Sequence, residues 1–129
     1  MAINENLAIT NVSVNYDALF VTGSGYPIVN DALTIVSGAG VLTRGTVLGV
    51  ITASGKATKV DSTKADGSQT AYAILSSDVD ATTADVVAPV YLTGEFNGDA
   101  MVFGGTDTIT THKAALRKIG IFIKSAQPA

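Results

Sequence analysis

The sequence predicts a mainly β domain with one short helix, preceded by an extended N-terminal arm. Three observations carry that prediction. Small and β-branched residues dominate, with 18 Ala, 16 Thr, 14 Val and 13 Gly among 129 residues, a composition that suits short strands and tight turns. Glycine-centred breakers such as Gly23-Ser24-Gly25, Gly38-Ala39-Gly40, Ser54-Gly55 and Asp66-Gly67 divide the chain into short runs. Only one stretch, His112–Ile119, combines helical spacing with start and stop signals.

The arm, residues 1–43, comes first. Val12, Val14 and Tyr16 alternate with Asn11, Ser13, Asn15 and Asp17, the period of a half-buried strand. Ile28-Val29 and Leu33-Thr34-Ile35-Val36 are further β candidates. They sit among so many breakers that the region reads as extended rather than packed into sheets of its own. Its only charges are Glu5, Asp17 and Asp31; all eight bases lie at or after Arg44. Residues 44–129 then form the β-rich domain. Gly45–Ala53 and Lys56–Asp61 flank Ser54-Gly55 as a hairpin with a two-residue turn. Tyr72–Leu75 is a short buried strand between polar loops. In Val86–Asn97, Val86, Ala88, Val90, Leu92 and Phe96 share one face, and Val87, Pro89, Tyr91, Thr93 and Glu95 the other. Pro89 lacks a ladder donor, which argues for an edge position. Ala100–Phe103 is one more strand candidate. Thr110 or Thr111 caps the helix, Ala115, Leu116 and Ile119 form its apolar stripe, and Gly120 suits the left-handed residue beyond it. Ile121–Ile123 closes the domain as a strand.

Composition excludes several classes. There is no Cys, hence no disulfide scaffold, thiolate metal site or thiol nucleophile. Charged residues make up 15% and the net charge is −3, against about 25% charged in an ordinary domain. Eight scattered bases do not make the positive stripe that phosphate backbones require, so no nucleic-acid partner is expected. No apolar run approaches the ~20 residues of a membrane span, and Met1–Thr10 lacks the pattern of a signal peptide. So few charges leave a surface of small polar side chains, or one covered by other chains.

Candidate chemistry is sparse. His112 is the single His, and no G-x-S-x-G elbow accompanies it, so a structural role is favoured. Asp78, Asp80 and Asp85 cluster, as do Asp61 and Asp66, but neither follows the calcium-loop spacing; solvated or turn-capping acids are the simpler reading. The glycine pairs do not extend to a dinucleotide or phosphate loop. No catalytic residue, cofactor or metal ligand is expected.

The order of motifs from Asp31 to Lys124 resembles the head decoration (capsid-stabilising) proteins of lambda-like tailed bacteriophages. The residues that carry it are Asp31–Gly38, Arg44-Gly45-Thr46-Val47-Leu48-Gly49 leading to Gly55-Lys56, and Asp66-Gly67 before Ala73-Ile74-Leu75. They continue with Asp78-Val79-Asp80-Ala81, Val90, Gly94-Glu95-Phe96-Asn97 and Leu116–Lys124. The first 30 residues depart from the pattern. The resemblance implies a compact domain of the β-tulip or β-clip kind. It implies a homotrimer on the outer surface of the expanded capsid, at three-fold and quasi-three-fold positions, with the arm ordered against the major capsid protein. Location in the virion, and in host cytoplasm during assembly, follows from the same likeness. Val12, Val14, Tyr16, Phe20 and Tyr26 are the candidates for docking; the competing reading is that they fold back on their own domain. Two other functions stay open: a tail-tube, neck or fibre-tip part, and a small glycan hydrolase working through Glu95 and Asp99.

Overall fold

The computed structural model describes residues 19–20 and 26–124. Eight strands and one helix follow in order: β1 (Val29–Ile35), β2 (Gly40–Leu42), β3 (Val47–Val50), β4 (Ala57–Lys59), β5 (Ala71–Leu75), β6 (Val79–Ala81), β7 (Val86–Asn97), α1 (Ile109–Lys118) and β8 (Ile121–Lys124). β4 pairs antiparallel with β3, β3 with β5, and β5 with β7. β1 lies antiparallel along β7, from Val29 opposite Thr93 to Ile35 opposite Val86, and meets β4 in parallel at Ile35 and Ala57. The circuit β1–β4–β3–β5–β7 therefore closes into a small barrel. β8 continues the wall, parallel to Gly94–Asn97 at the far end of β7. β2 and β6 form a separate antiparallel pair.

The barrel wall separates two hydrophobic clusters. The inner one holds Ile35, Leu42, Leu48, Ala57, Ala73, Leu75, Ala81, Ala88 and Val90. Three of these nine, Ala57, Ala73 and Ala88, are Ala on barrel strands, because the bore of a five-stranded barrel is too narrow for many large side chains. The outer cluster lies between the wall, α1 and β8: Leu19, Val47, Val60, Ala71, Ile74, Phe96, Met101, Leu116, Ile121 and Ile123. β3 and β5 feed both, Val47 and Ile74 outward, Leu48, Ala73 and Leu75 inward. Burial on both faces is why Ala73-Ile74-Leu75 reads as a continuous apolar run instead of an alternating one.

Several expectations meet a different local structure. Ile28–Val36 is not merely extended: β1 is part of the barrel wall, and its Ile35 is fully buried. Its partner lies more than fifty residues downstream, so nothing nearby in sequence signals the pairing. Pro89 is not at an edge, since β7 has β1 on one side and β5 on the other. The Pro89 carbonyl accepts from the Ser76 N–H at 3.0 Å. Its ring nitrogen faces the same way, towards the Ser76 carbonyl, and cannot return that bond; Arg44 Nε donates to the Ser76 carbonyl instead, at 3.1 Å. The β3–β4 turn is longer than two residues, closed by Ile51 N–H to Lys56 O and Gly55 N–H to Ile51 O, both 2.8 Å. Within Ala100–Phe103, Val102 makes only an isolated bridge to Thr46.

The helix begins earlier than Thr110. Thr108 is its N-cap, and Thr111 Oγ1 accepts from the Thr108 N–H at 3.1 Å. Thr111 is thus the partner of the cap, three residues inside, rather than the cap itself. His112 and Leu116 are the buried positions, whereas Ile119 is 40% exposed. Gly120 has φ +88°, the left-handed conformation that lets the chain turn directly into β8. Among the described residues no helix is long and apolar enough to cross a membrane.

Candidate docking surface

The leading segment joins the domain at Leu19 and Phe20. Asn97 N–H donates to the Leu19 carbonyl at 2.7 Å, and Phe20 bridges Phe96 in antiparallel fashion. Leu19 is buried in the outer cluster. The Phe20 ring meets Tyr91 edge-on at 4.9 Å between centroids and Phe96 at 5.0 Å. Arg44 completes the group: its guanidinium carbon lies 5.9 Å from the centroids of both Phe20 and Tyr91. Its Nε donates to the Ser76 carbonyl at 3.1 Å and its Nη2 to Tyr91 Oη at 3.2 Å, so the cation is oriented as well as stacked. The Arg44 N–H donates to Asp78 Oδ1 at 2.7 Å. Gly45 follows with φ +97°, and a Cβ there would collide with the Ala100 carbonyl. Only glycine lets the backbone pass this close.

Tyr26 sits nearby but differently. It is 38% exposed and packs edge-on against Phe122 at 4.9 Å. Thr93 Oγ1 fastens this stretch to β7, accepting from Val29 N–H at 3.1 Å and donating to the Pro27 carbonyl at 2.9 Å. Ile28 and Val29 are also exposed. Of the five docking candidates, Phe20 therefore faces its own domain and Tyr26 is half on the surface. Val12, Val14 and Tyr16 lie outside the described residues.

The candidates for chemistry are engaged in turns and ion pairs. Asp61, Asp66 and Asp80 each accept, through Oδ1, both the backbone N–H and the hydroxyl of the residue two positions on: Thr63, Ser68 and Thr82. Those hydroxyl bonds, with the N–H bonds second, hold all three carboxyls below their ordinary range. Lys56, and then the Ser37 N–H, do the same for Asp85. Glu95 pairs with Lys124 at 2.9 Å across β7 and β8. Asp99 lies in a 3₁₀ turn, Gly98–Ala100, where its N–H donates to Asn97 Oδ1. Among the described residues no group of three potential metal ligands comes together.

His112 is buried, its ring stacked on Phe103 and its Nε2 2.7 Å from Asp107 Oδ2. Asp107 also accepts from the Ser62 hydroxyl at 2.6 Å and the Ser62 N–H at 2.7 Å. The Ser62 hydroxyl bond, followed by that of His112, keeps the Asp107 carboxyl below the usual range. The serine hydroxyl is thus spent on the carboxylate, not on the imidazole, and the trio lacks the nucleophile–base contact of a hydrolytic triad. It ties the start of α1 to the β4–β5 loop. Sequence reading missed both Asp107 and the placement of Arg44. A carboxylate five residues before a helical His was the available signal for the first; only the three-dimensional convergence of Phe20, Tyr91 and Phe96 reveals the second.

Comparison with known proteins follows the same geometry. No curated protein matches the chain. The family profile of the bacteriophage lambda head decoration protein D matches residues 8–121. That match takes in the barrel and α1 and, beginning upstream of Asp31, also the root at Leu19–Phe20; the chain belongs to the bacteriophage head decoration protein family.

Proposed function

We propose that this protein is a structural part of the phage virion that binds the outer surface of the expanded head as a trimer and stabilises the shell against the pressure of packaged DNA. The family match over residues 8–121 carries the reading. Two features support it. Most acids singled out in the sequence hold turns or ion pairs, which suits a load-bearing domain better than a reactive one. The chain ahead of Leu19 has strand-like alternation at Val12, Val14 and Tyr16, as expected of a segment completed by pairing with another chain. The partners are the major capsid protein and two further copies of this chain, at three-fold and quasi-three-fold positions. Assembly takes place in host cytoplasm.

The mechanism is mass action. A ligand that binds only the expanded lattice stabilises it by RT ln(1 + [L]/Kd) per site, about 2.7 kcal/mol at 100 Kd, and the shell repeats the site many times over. If the composite site exists only after expansion, binding selects that state. The test is to mix purified protein with expanded and unexpanded capsids and image both. Density at the three-folds of expanded shells alone is the expected result; bare three-folds refute the reading. Deleting residues 1–18, which spares Leu19 and Phe20, should abolish co-sedimentation with expanded capsids.

A further inference from the structure

We propose that Arg44 is a positioning residue for docking. It holds Phe20 against Tyr91 and Phe96, and through Phe20 it orients the chain that precedes it in sequence, which carries Val12, Val14 and Tyr16. The inference rests on the docking role given above to that segment.

Backbone contacts hold Leu19 and Phe20 to β7, among them Asn97 N–H to Leu19 O within the bridge of Phe20 to Phe96. Ordering each backbone residue costs about 1–2 kcal/mol, and side chains help to offset it. Leu19 is buried, and Phe20 lies in contact with two aromatic rings and one guanidinium. Arg44 is the single charged member of that group. It is also braced from behind, by the Ser76 carbonyl on Nε and the Tyr91 hydroxyl on Nη2. A braced planar cation keeps Phe20 edge-on to Tyr91, where a lysine ammonium on a flexible stem would not. The backbone on either side of Arg44 is equally constrained, by Asp78 on its own N–H and by Gly45, which admits no side chain. Arg44 is therefore a rigid post and Phe20 the part that leans on it.

A docking segment that leaves its domain at a fixed point and direction reaches its groove with less orientational freedom to lose, and binds more tightly for the same contacts. Loosening that point weakens docking without touching any residue that meets the partner.

The experiment compares full-length wild type with Arg44→Lys, Phe20→Ala and the double variant, by two readouts. Amide exchange of Asn97 reports the anchor itself, since that N–H bonds Leu19; the amides of Leu48 and Ile74 report the barrel. Co-sedimentation with expanded capsids reports docking. The expected result in Arg44→Lys is faster exchange at Asn97, unchanged exchange at Leu48 and Ile74, and capsid affinity lower by about two- to thirtyfold, the range of one cation–π contact. The double variant should lose little more than Phe20→Ala alone. Unchanged exchange at Asn97 in Arg44→Lys overturns the anchor. So does acceleration at all three amides, which is general destabilisation. Faster exchange at Asn97 with wild-type capsid affinity overturns the positioning role. Absence of capsid binding by wild type overturns the decoration reading and the positioning role with it, while the exchange data still report whether Arg44 holds Phe20.

Discussion

The two hydrophobic clusters share β3 and β5 but differ in how much of the chain they draw on. The inner cluster uses residues from Ile35 to Val90, all from the middle of the sequence and many of them small. The outer cluster gathers the extremes: Leu19 from the leading segment, and Leu116, Ile121 and Ile123 from α1 and β8. The barrel interior is thus filled by residues of the central stretch, whereas the layer outside it also fastens Leu19, α1 and β8 onto the wall. Tight packing of small groups resists added volume, and a layer of large groups resists removal. The two regions should therefore fail under opposite substitutions.

Phe96→Ala should have the largest effect. Phe96 is fully buried at the meeting point of Phe20, Tyr91 and the outer cluster. Loss of about 3–5 kcal/mol is expected for such a truncation, measured by denaturant unfolding. Ala88→Leu tests the other side. Ala88 lines the narrow bore and is fully buried, so the added atoms should cost about 1–3 kcal/mol, where a loosely packed interior would accept them at no cost.

Acid separates the regions in a third way. Asp107, with its pKa lowered in the folded state, contributes stability that is present above about pH 4 and lost as pH falls through the lower folded value. Asp107→Asn should be less stable than the parent at pH 7, and its Tm should fall less on going from about pH 5 to pH 3. Because Asp107 ties α1 to Ser62 while the inner cluster is built of apolar side chains, the protection of α1 amides, taken relative to their intrinsic exchange rate, should fall in acid before that of Leu48. The smallest effect is expected one residue from Ala88. Val87 is 71% exposed, and Val87→Thr should stay within about 0.5 kcal/mol. A larger loss would mean that the outward face of β7 is covered in solution.

What the sequence reveals of this fold follows the range of the forces involved. β7 is legible as a strand because its alternation from Val86 to Asn97 is local, although its one expected face divides, Ala88 and Val90 entering the inner cluster and Phe96 the outer; Gly120 is legible because a left-handed residue at a helix end has few substitutes. The pairing of β1 with β7 is not, since it joins distant segments and leaves no mark on either. Nor is the position of Pro89 inside the barrel wall, where Arg44 donates to the Ser76 carbonyl in its place. At the candidate docking surface the alternation of Val12, Val14 and Tyr16 is visible, but the identity of what they meet is a property of the partner. Phe20 reads as one more member of that pattern until Arg44 is seen beside it.

β7 runs unbroken for twelve residues, about 40 Å of extended chain, flanked by β1 and β5 along the barrel and by β8 and Phe20 beyond it. A pull along its axis must shear these neighbouring ladders together instead of peeling one bond at a time. Tension entering at Leu19–Phe20 is passed to the strand that stitches both layers together, so the domain answers it as one mechanical body.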